Sequence, residues 1–228
     1  MIGVYDYTVI LTYLSMISGA IGILISMTGV GHPYGGIFFL MLSGLLDGFD
    51  GKVARTKQGR TKFEKDFGVQ IDSFSDLICF GILPVAIGAA QLRRSGIFIE
   101  IMKKDEYGDQ FWMLMIILTI GVFYILAALI RLAYFNSTVQ MREEEKEKTG
   151  HTYYVGLPVT SAALIFPIIH IVHFYTKANL AVFYFMVMLV VAILFVANIK
   201  IRKPGKLIFS LMVLVGVGEF IALLTVFI

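Results

Sequence analysis

Four aspartates stand in two short stretches of the chain, Asp47 and Asp50 in LLDGFDGKVAR (45–55) and Asp72 and Asp76 in GVQIDSFSD (68–76). The first pair is three residues apart and the second four, so on helices each pair lies along one stripe. Both stretches border apolar runs long enough to enter a bilayer, where a carboxylate is costly. Four unpaired negative charges at one depth would repel, and burying them without a partner is unfavourable. A hard divalent cation, Mg²⁺ or Mn²⁺, is the simplest remedy, and two ions bridged by shared carboxylates satisfy the set better than one. Two such ions are also how displacement at phosphorus is clamped. Gly48, Gly51 and Ala54 line the first stretch and Gly68 opens the second. Glycine weakens a helix, so its use here suggests close approach by a helix or a ligand. Arg55, one turn after Gly51, has the guanidinium geometry to hold a diphosphate. Each feature alone has a plainer explanation: a lone aspartate as a proton or ion site, glycines as helix packing, Arg55 as an interfacial anchor. The ordered set points to a metal–diphosphate site.

The elements that must position these residues are membrane spans. Of the 228 residues 58% are hydrophobic, against about 45–50% in soluble domains, which exceeds what one buried core absorbs. Runs of roughly 20 apolar residues predict helical spans at 8–30, 34–54, 69–91, 111–136, 155–175, 178–199 and 207–228. None alternates as a barrel strand would. The expected fold is an all-α polytopic membrane bundle in one domain over 1–228. The last span, carrying Gly216, Gly218 and Glu219, is the weakest and could pack peripherally. Loop cations then orient the bundle. Thirteen Lys or Arg fall in 52–65, 142–148 and 200–206, and five, Arg93, Arg94, Lys103, Lys104 and Lys177, on the other side. The positive-inside rule places the aspartate-bearing loop in the cytoplasm. Net charge is only +3, and no nucleic-acid partner is expected. The N-terminus lacks the basic region of a cleaved signal, so the first span is taken as retained. The single cysteine, Cys79, excludes an intrachain disulfide and reads as a small buried hydrophobe.

The pattern Asp47-x-x-Asp50-Gly51-x-x-Ala54-Arg55, then Gly68-x-x-x-Asp72-x-x-x-Asp76, resembles the signature of the CDP-alcohol phosphatidyltransferases, with every position filled. The resemblance covers the first five or six spans, so a seventh would be an addition to the usual six. It implies that Asp47, Asp50 and Asp72 ligate the metals, and that Asp76 completes the site and acts as general base. It further implies that Asp50, Gly51, Ala54, Arg55 and Gly68 shape and hold the cytidine diphosphate, and that the protein is a homodimer. The departure is the spacer between Arg55 and Gly68: twelve residues, Thr56 to Phe67, where the family usually has eight. Four residues are about one helical turn, so an extended helix end or a longer loop is expected.

Three further stretches, IDSFSDLICFGILP (71–84), IRLAYFN (130–136) and YVGLPVTSAA (154–163), resemble the membrane-integral phosphatidylserine synthases within that family. The implied reaction moves a phosphatidyl group from CDP-diacylglycerol to L-serine in a cell membrane, with the site facing the cytoplasm. Arg131 is the one basic residue within a span. It is costly unless paired or facing a polar cavity, and it is a candidate for the acceptor carboxylate or the lipid phosphate, with Asn136 beside it. A structural pair between Arg131 and a site aspartate is the alternative. Other acceptors, glycerol 3-phosphate or inositol phosphate, and an ether-linked CDP-archaeol donor remain open. A prenyltransferase would lack the Gly-x-x-Ala-Arg element, and a cation transporter would need neither Arg55 nor the glycine face. His170 and His173 share a face without a third ligand, so interhelical hydrogen bonds are expected of them. Pro84, Pro158 and Pro167 read as kinks or helix starts.

Overall fold

The computed structural model describes residues 2–29, 35–95, 109–139, 141, 144, 153–176, 178–202 and 214–221. Its helices are α1 (Tyr7–Thr28), α2 (Gly35–Ala54), α3 (Lys62–Asp76), α4 (Leu83–Arg94), α5 (Asp109–Ser137), α6 (Ala162–Thr176) and α7 (Ala181–Val196). A π-helical segment, Leu77–Ile82, joins α3 to α4 without a break. Among the described residues four helical stretches, Tyr7–Thr28, Lys62–Arg94, Phe111–Ser137 and Val159–Thr176, are long and apolar enough to cross a membrane. This is an all-helical bundle of an integral membrane protein. Among the described residues two short strands, β1 (Tyr153–Val155) and β2 (Lys200–Arg202), pair antiparallel beside the helices.

Asp6 caps α1 by accepting from the Thr8 backbone N–H, and Gly29 ends it at φ +68°. Small polar residues then join α1 to its neighbours, as they do where lipid removes the hydrophobic drive for helix association. Ser15 and Ser43 exchange hydrogen bonds, each hydroxyl donating to the other's carbonyl at 3.2 and 3.1 Å. Ser18 donates to Phe39 O at 3.0 Å and Ser75 to Thr12 O at 3.3 Å. Cys79 is buried as expected, yet it also donates to Ser15 O at 3.2 Å. A Cβ on Gly19 would stand 2.6 Å from its Sγ, so this crossing needs glycine.

The π segment has a covalent cause. Pro84 has no N–H, so the Phe80 carbonyl loses its α-helical donor. Tyr124 of α5 donates to Phe80 O at 2.8 Å instead, and Tyr184 of α7 donates to Pro84 O at 2.9 Å. Both tyrosines are fully buried and meet the Phe166 ring, Tyr124 edge to face at a centroid distance of 5.8 Å and Tyr184 tilted at 4.8 Å. The core therefore forms around the irregular part of the third span.

The span expected at 155–175 begins later as helix. Gly156 sits at φ +75°, and Pro158 keeps its predecessor extended. Residues 153–157 run instead as a strap: Gly156 N donates to Ile199 O and Leu157 N to Leu194 O, both at 2.9 Å. A Cβ on Gly156 would meet Phe195 O at 2.7 Å. The strap puts the segment before α6 and the end of α7 on one side of the bundle. Lys57 bridges Asp6 and Glu64 at 2.5 and 2.7 Å, which puts the N-terminus beside the 56–61 loop. Arg93 holds the Met27 and Ser26 carbonyls at the opposite end. Of the span expected at 207–228, residues 214–221 are helical; Phe220 meets Phe38 of α2 at 5.4 Å and Gly216 faces Leu164 of α6. The remainder of that span, and nearly all of the loops at 96–108 and 142–148, lie outside the described residues.

Candidate metal and diphosphate site

The two aspartate stretches converge as their spacing predicts. Asp47 and Asp50 lie in the last two turns of α2, and Asp72 and Asp76 in the last two turns of α3. One carboxylate oxygen from each of Asp47, Asp50 and Asp72 lies within 4.8 Å of the others. The Asp76 carboxylate is a close neighbour of that of Asp47, and Asp72 of Asp50. A triad of this size, made of carboxylate oxygens alone, fits a hard divalent cation.

Asp50 is the most buried of the four, 8% exposed, and its Oδ2 accepts from Thr12 Oγ1 of α1 at 2.9 Å. The contact with Thr12 spans 38 positions of sequence. The signal that could have found it is the run of small polar residues Thr8, Thr12, Ser15 and Ser18, spaced three to four apart on one face of an otherwise apolar helix.

Two glycines of the first stretch, Gly48 and the signature's Gly51, are not packing glycines. Among the described residues no neighbouring atom lies within 4 Å of a Cβ built on Gly48, and at Gly51 only the Arg55 guanidinium does, at 3.7 Å. A glycine of α2 that does admit a neighbouring helix is Gly44, where a Cβ would meet Ala163 of α6 at 2.5 Å. Gly51 is therefore an open face with Arg55 folded back along it. The long spacer resolves into a turn and a helix: Gly59 takes φ +73°, Thr61 and Glu64 form a capping box, and α3 begins at Lys62, so six helical residues precede Gly68. Of the two expectations for the spacer, the extended helix end accounts for the extra turn.

Arg131 is buried, 5% exposed, and donates from Nε to Leu157 O at 3.2 Å with its guanidinium 5.5 Å from the Phe135 ring. It lines a cavity of about 300 Å³ whose described walls include Tyr134, Val155, Ala197 and Asn198. The described ion pairs join Lys57 to Asp6 and Glu64, and none joins Arg131 to a site aspartate. Asn136 turns elsewhere, donating to Ser73 Oγ at 2.7 Å, one residue from Asp72. His170 Nδ1 faces Phe166 O within its own helix, and His173 Nδ1 faces Ala178 O in the following connection. These two contacts stay within α6 and its following connection, and the His170 ring also meets Tyr184 of α7 edge to face at 5.5 Å.

The family model for CDP-alcohol phosphatidyltransferase matches residues 8–227. A CDP-diacylglycerol–serine O-phosphatidyltransferase of Saccharomyces cerevisiae is 30% identical over 129 residues, 56% of this chain and 38% of that protein. An archaetidylserine synthase of Methanothermobacter thermautotrophicus is 27% identical over 194 residues, 84% of this chain and 67% of its own length. A Helicobacter pylori CDP-diacylglycerol–serine O-phosphatidyltransferase is 23% identical over 193 residues, 83% of this chain and 69% of that one. The chain thus spans well under half of the yeast relative and about two thirds of the other two. With the full aspartate signature gathered in one cluster and the match running over almost the whole length, the chain belongs to the CDP-alcohol phosphatidyltransferase family.

Proposed function

We propose that this chain, as one integral membrane domain over 1–228, transfers a phosphatidyl group from a CDP-activated diacyl lipid to the hydroxyl of L-serine, giving phosphatidylserine and CMP. The observation that carries the reading is the Asp47–Asp50–Asp72 triad beside Asp76, with Arg55 on the open face of Gly51. Serine is the acceptor named in the yeast and Helicobacter pylori relatives, and archaetidylserine is the product named in the archaeal one.

In this reading Asp47, Asp50 and Asp72, joined by Asp76, hold Mg²⁺ or Mn²⁺, most simply two ions. Bound there, the cations supply Lewis-acid stabilisation of charge on the phosphoryl oxygens. Gly51, Ala54 and Gly68 leave room for the nucleotide, and Arg55 holds the diphosphate by paired hydrogen bonds. Asp76 takes the serine hydroxyl proton as that oxygen forms its bond to the lipid-side phosphorus, and the bond from this phosphorus to the CMP oxygen breaks. Arg131, in the cavity between α5, the strap and the end of α7, receives the acceptor carboxylate or the lipid phosphate, and Asn136 fixes the α5 end against α3 beside Asp72. The cation-rich loops support a site at the cytoplasmic face of the cell membrane. A homodimer is carried over from the family.

The test is CMP release by the purified protein in detergent with Mg²⁺ or Mn²⁺, with CDP-diacylglycerol and CDP-archaeol as donors, and with serine, glycerol 3-phosphate or inositol phosphate as acceptor. Serine-dependent release that disappears in Asp76→Asn, while CDP-lipid binding persists, is the expected result. Release that depends on a phosphorylated acceptor, or full activity in Asp76→Asn, overturns it.

A further inference from the structure

Each glycine of the signature is faced by a guanidinium. Arg55 lies at Gly51, and at Gly68 the neighbour is Arg60, whose Nη2 would stand 2.9 Å from a Cβ built there. Arg60 belongs to the long spacer and lies outside the signature. Its Nη1 reaches Ala54 O at 3.5 Å and its Nη2 donates to Glu64 O at 3.0 Å. The side chain thus bridges the last turn of α2 and the first turn of α3, with Ala54 on one hand and Gly68 on the other. Its Nε is enclosed and has no acceptor among the described residues. A buried N–H without a partner is costly to keep, because its hydration is lost and nothing replaces it. The capping box of Thr61 and Glu64 and the Lys57 bridge hold this turn in place from the outside.

We propose that Arg60 is a second nucleotide-binding arginine, delivered by the spacer to the Gly68 face, where a small rotation of its guanidinium gives Nε–H an oxygen of the cytidine nucleotide. This rests on the nucleotide reading of the signature and adds a residue to it. A guanidinium carries five donors in a planar fork, so keeping two on the helices leaves others for an anionic or carbonyl oxygen. The four extra spacer residues then have a use: they let Arg60 reach back between the two halves of the site.

The experiment measures CMP binding to the full-length protein in detergent with Mn²⁺, by calorimetry, alongside unfolding temperature. Arg60→Gln and Arg60→Ala should weaken CMP binding by about 10-fold, as expected for loss of a charge-assisted hydrogen bond. Thr61→Ala, which loosens the same turn and spares the guanidinium, should lower the unfolding temperature and leave the CMP affinity in place. Cytidine and pyrophosphate as separate probes show which half of the nucleotide meets Arg60. In turnover, the KM for CDP-lipid should rise in Arg60→Gln while the KM for serine stays. Arg60 variants that bind CMP as the wild type does overturn the proposal, as does a Thr61→Ala variant that loses as much CMP affinity as Arg60→Ala. A wild-type protein that binds no CMP overturns the nucleotide reading as well.

Discussion

At the scale of single residues, an acidic cluster is only as good as the groups that aim it. One oxygen of Asp50, Oδ2, is held by Thr12, and a buried carboxylate gripped at one oxygen is fixed in its direction. Thr12→Val removes the hydroxyl at nearly constant volume. Mn²⁺ affinity, read by paramagnetic resonance of the purified protein, should fall about 10- to 100-fold, the usual range for loss of an outer partner of a metal ligand. Thr12→Ser should restore it, and an unchanged affinity in Thr12→Val would remove Thr12 from the site. The four aspartates were legible because their spacing is local: three and four residues on a helix are neighbours whatever the fold. Thr12 and Arg60 were not, since each acquires its meaning from a contact between elements.

At the scale of elements, the third span is the informative one. Its aspartate-bearing half and its core-facing half are separated by the π segment, and Tyr124 closes the gap left by Pro84. Tyr124→Phe keeps the ring packing and leaves Phe80 O without its donor in the bundle interior. The expected cost is about 1–2 kcal/mol, seen as a lower unfolding temperature in detergent, with a wild-type-like value showing that the carbonyl finds another partner. A hydropathy run from 69 to 91 reveals that a span exists and says nothing of its winding, which depends on a proline and a tyrosine 40 residues apart. The start of α3 shows the reverse. Thr61 and Glu64 spell a capping box in the sequence itself, so the extended helix end was available to a reading that looked for helix starts inside the basic loop.

At the scale of the whole molecule, named contacts tie each end of the bundle together. On the aspartate side the main tie is Lys57, which joins the cap of α1 to the cap of α3. The Lys57 ammonium, followed by the Thr8 hydrogen bonds, lowers the Asp6 pKa from 3.8 to about 2. A depressed folded-state value means that the contribution is full above the unfolded value and is lost as pH falls through the folded one. The difference in unfolding temperature between wild type and Asp6→Asn should hold steady above about pH 4 and shrink toward about pH 2; a difference that persists at the acid end would show that Asp6 acts only as a cap. The strap is another such tie, and it has a mechanical meaning. α6 and α7 are joined through the 178–180 connection at one end and by β1, Gly156 and Leu157 on β2 and the last carbonyls of α7 at the other. The two helices form a closed buckle, so the peptide chain at 178–180 is redundant as a fastener: a nick there would leave both pieces still clasped at the opposite end.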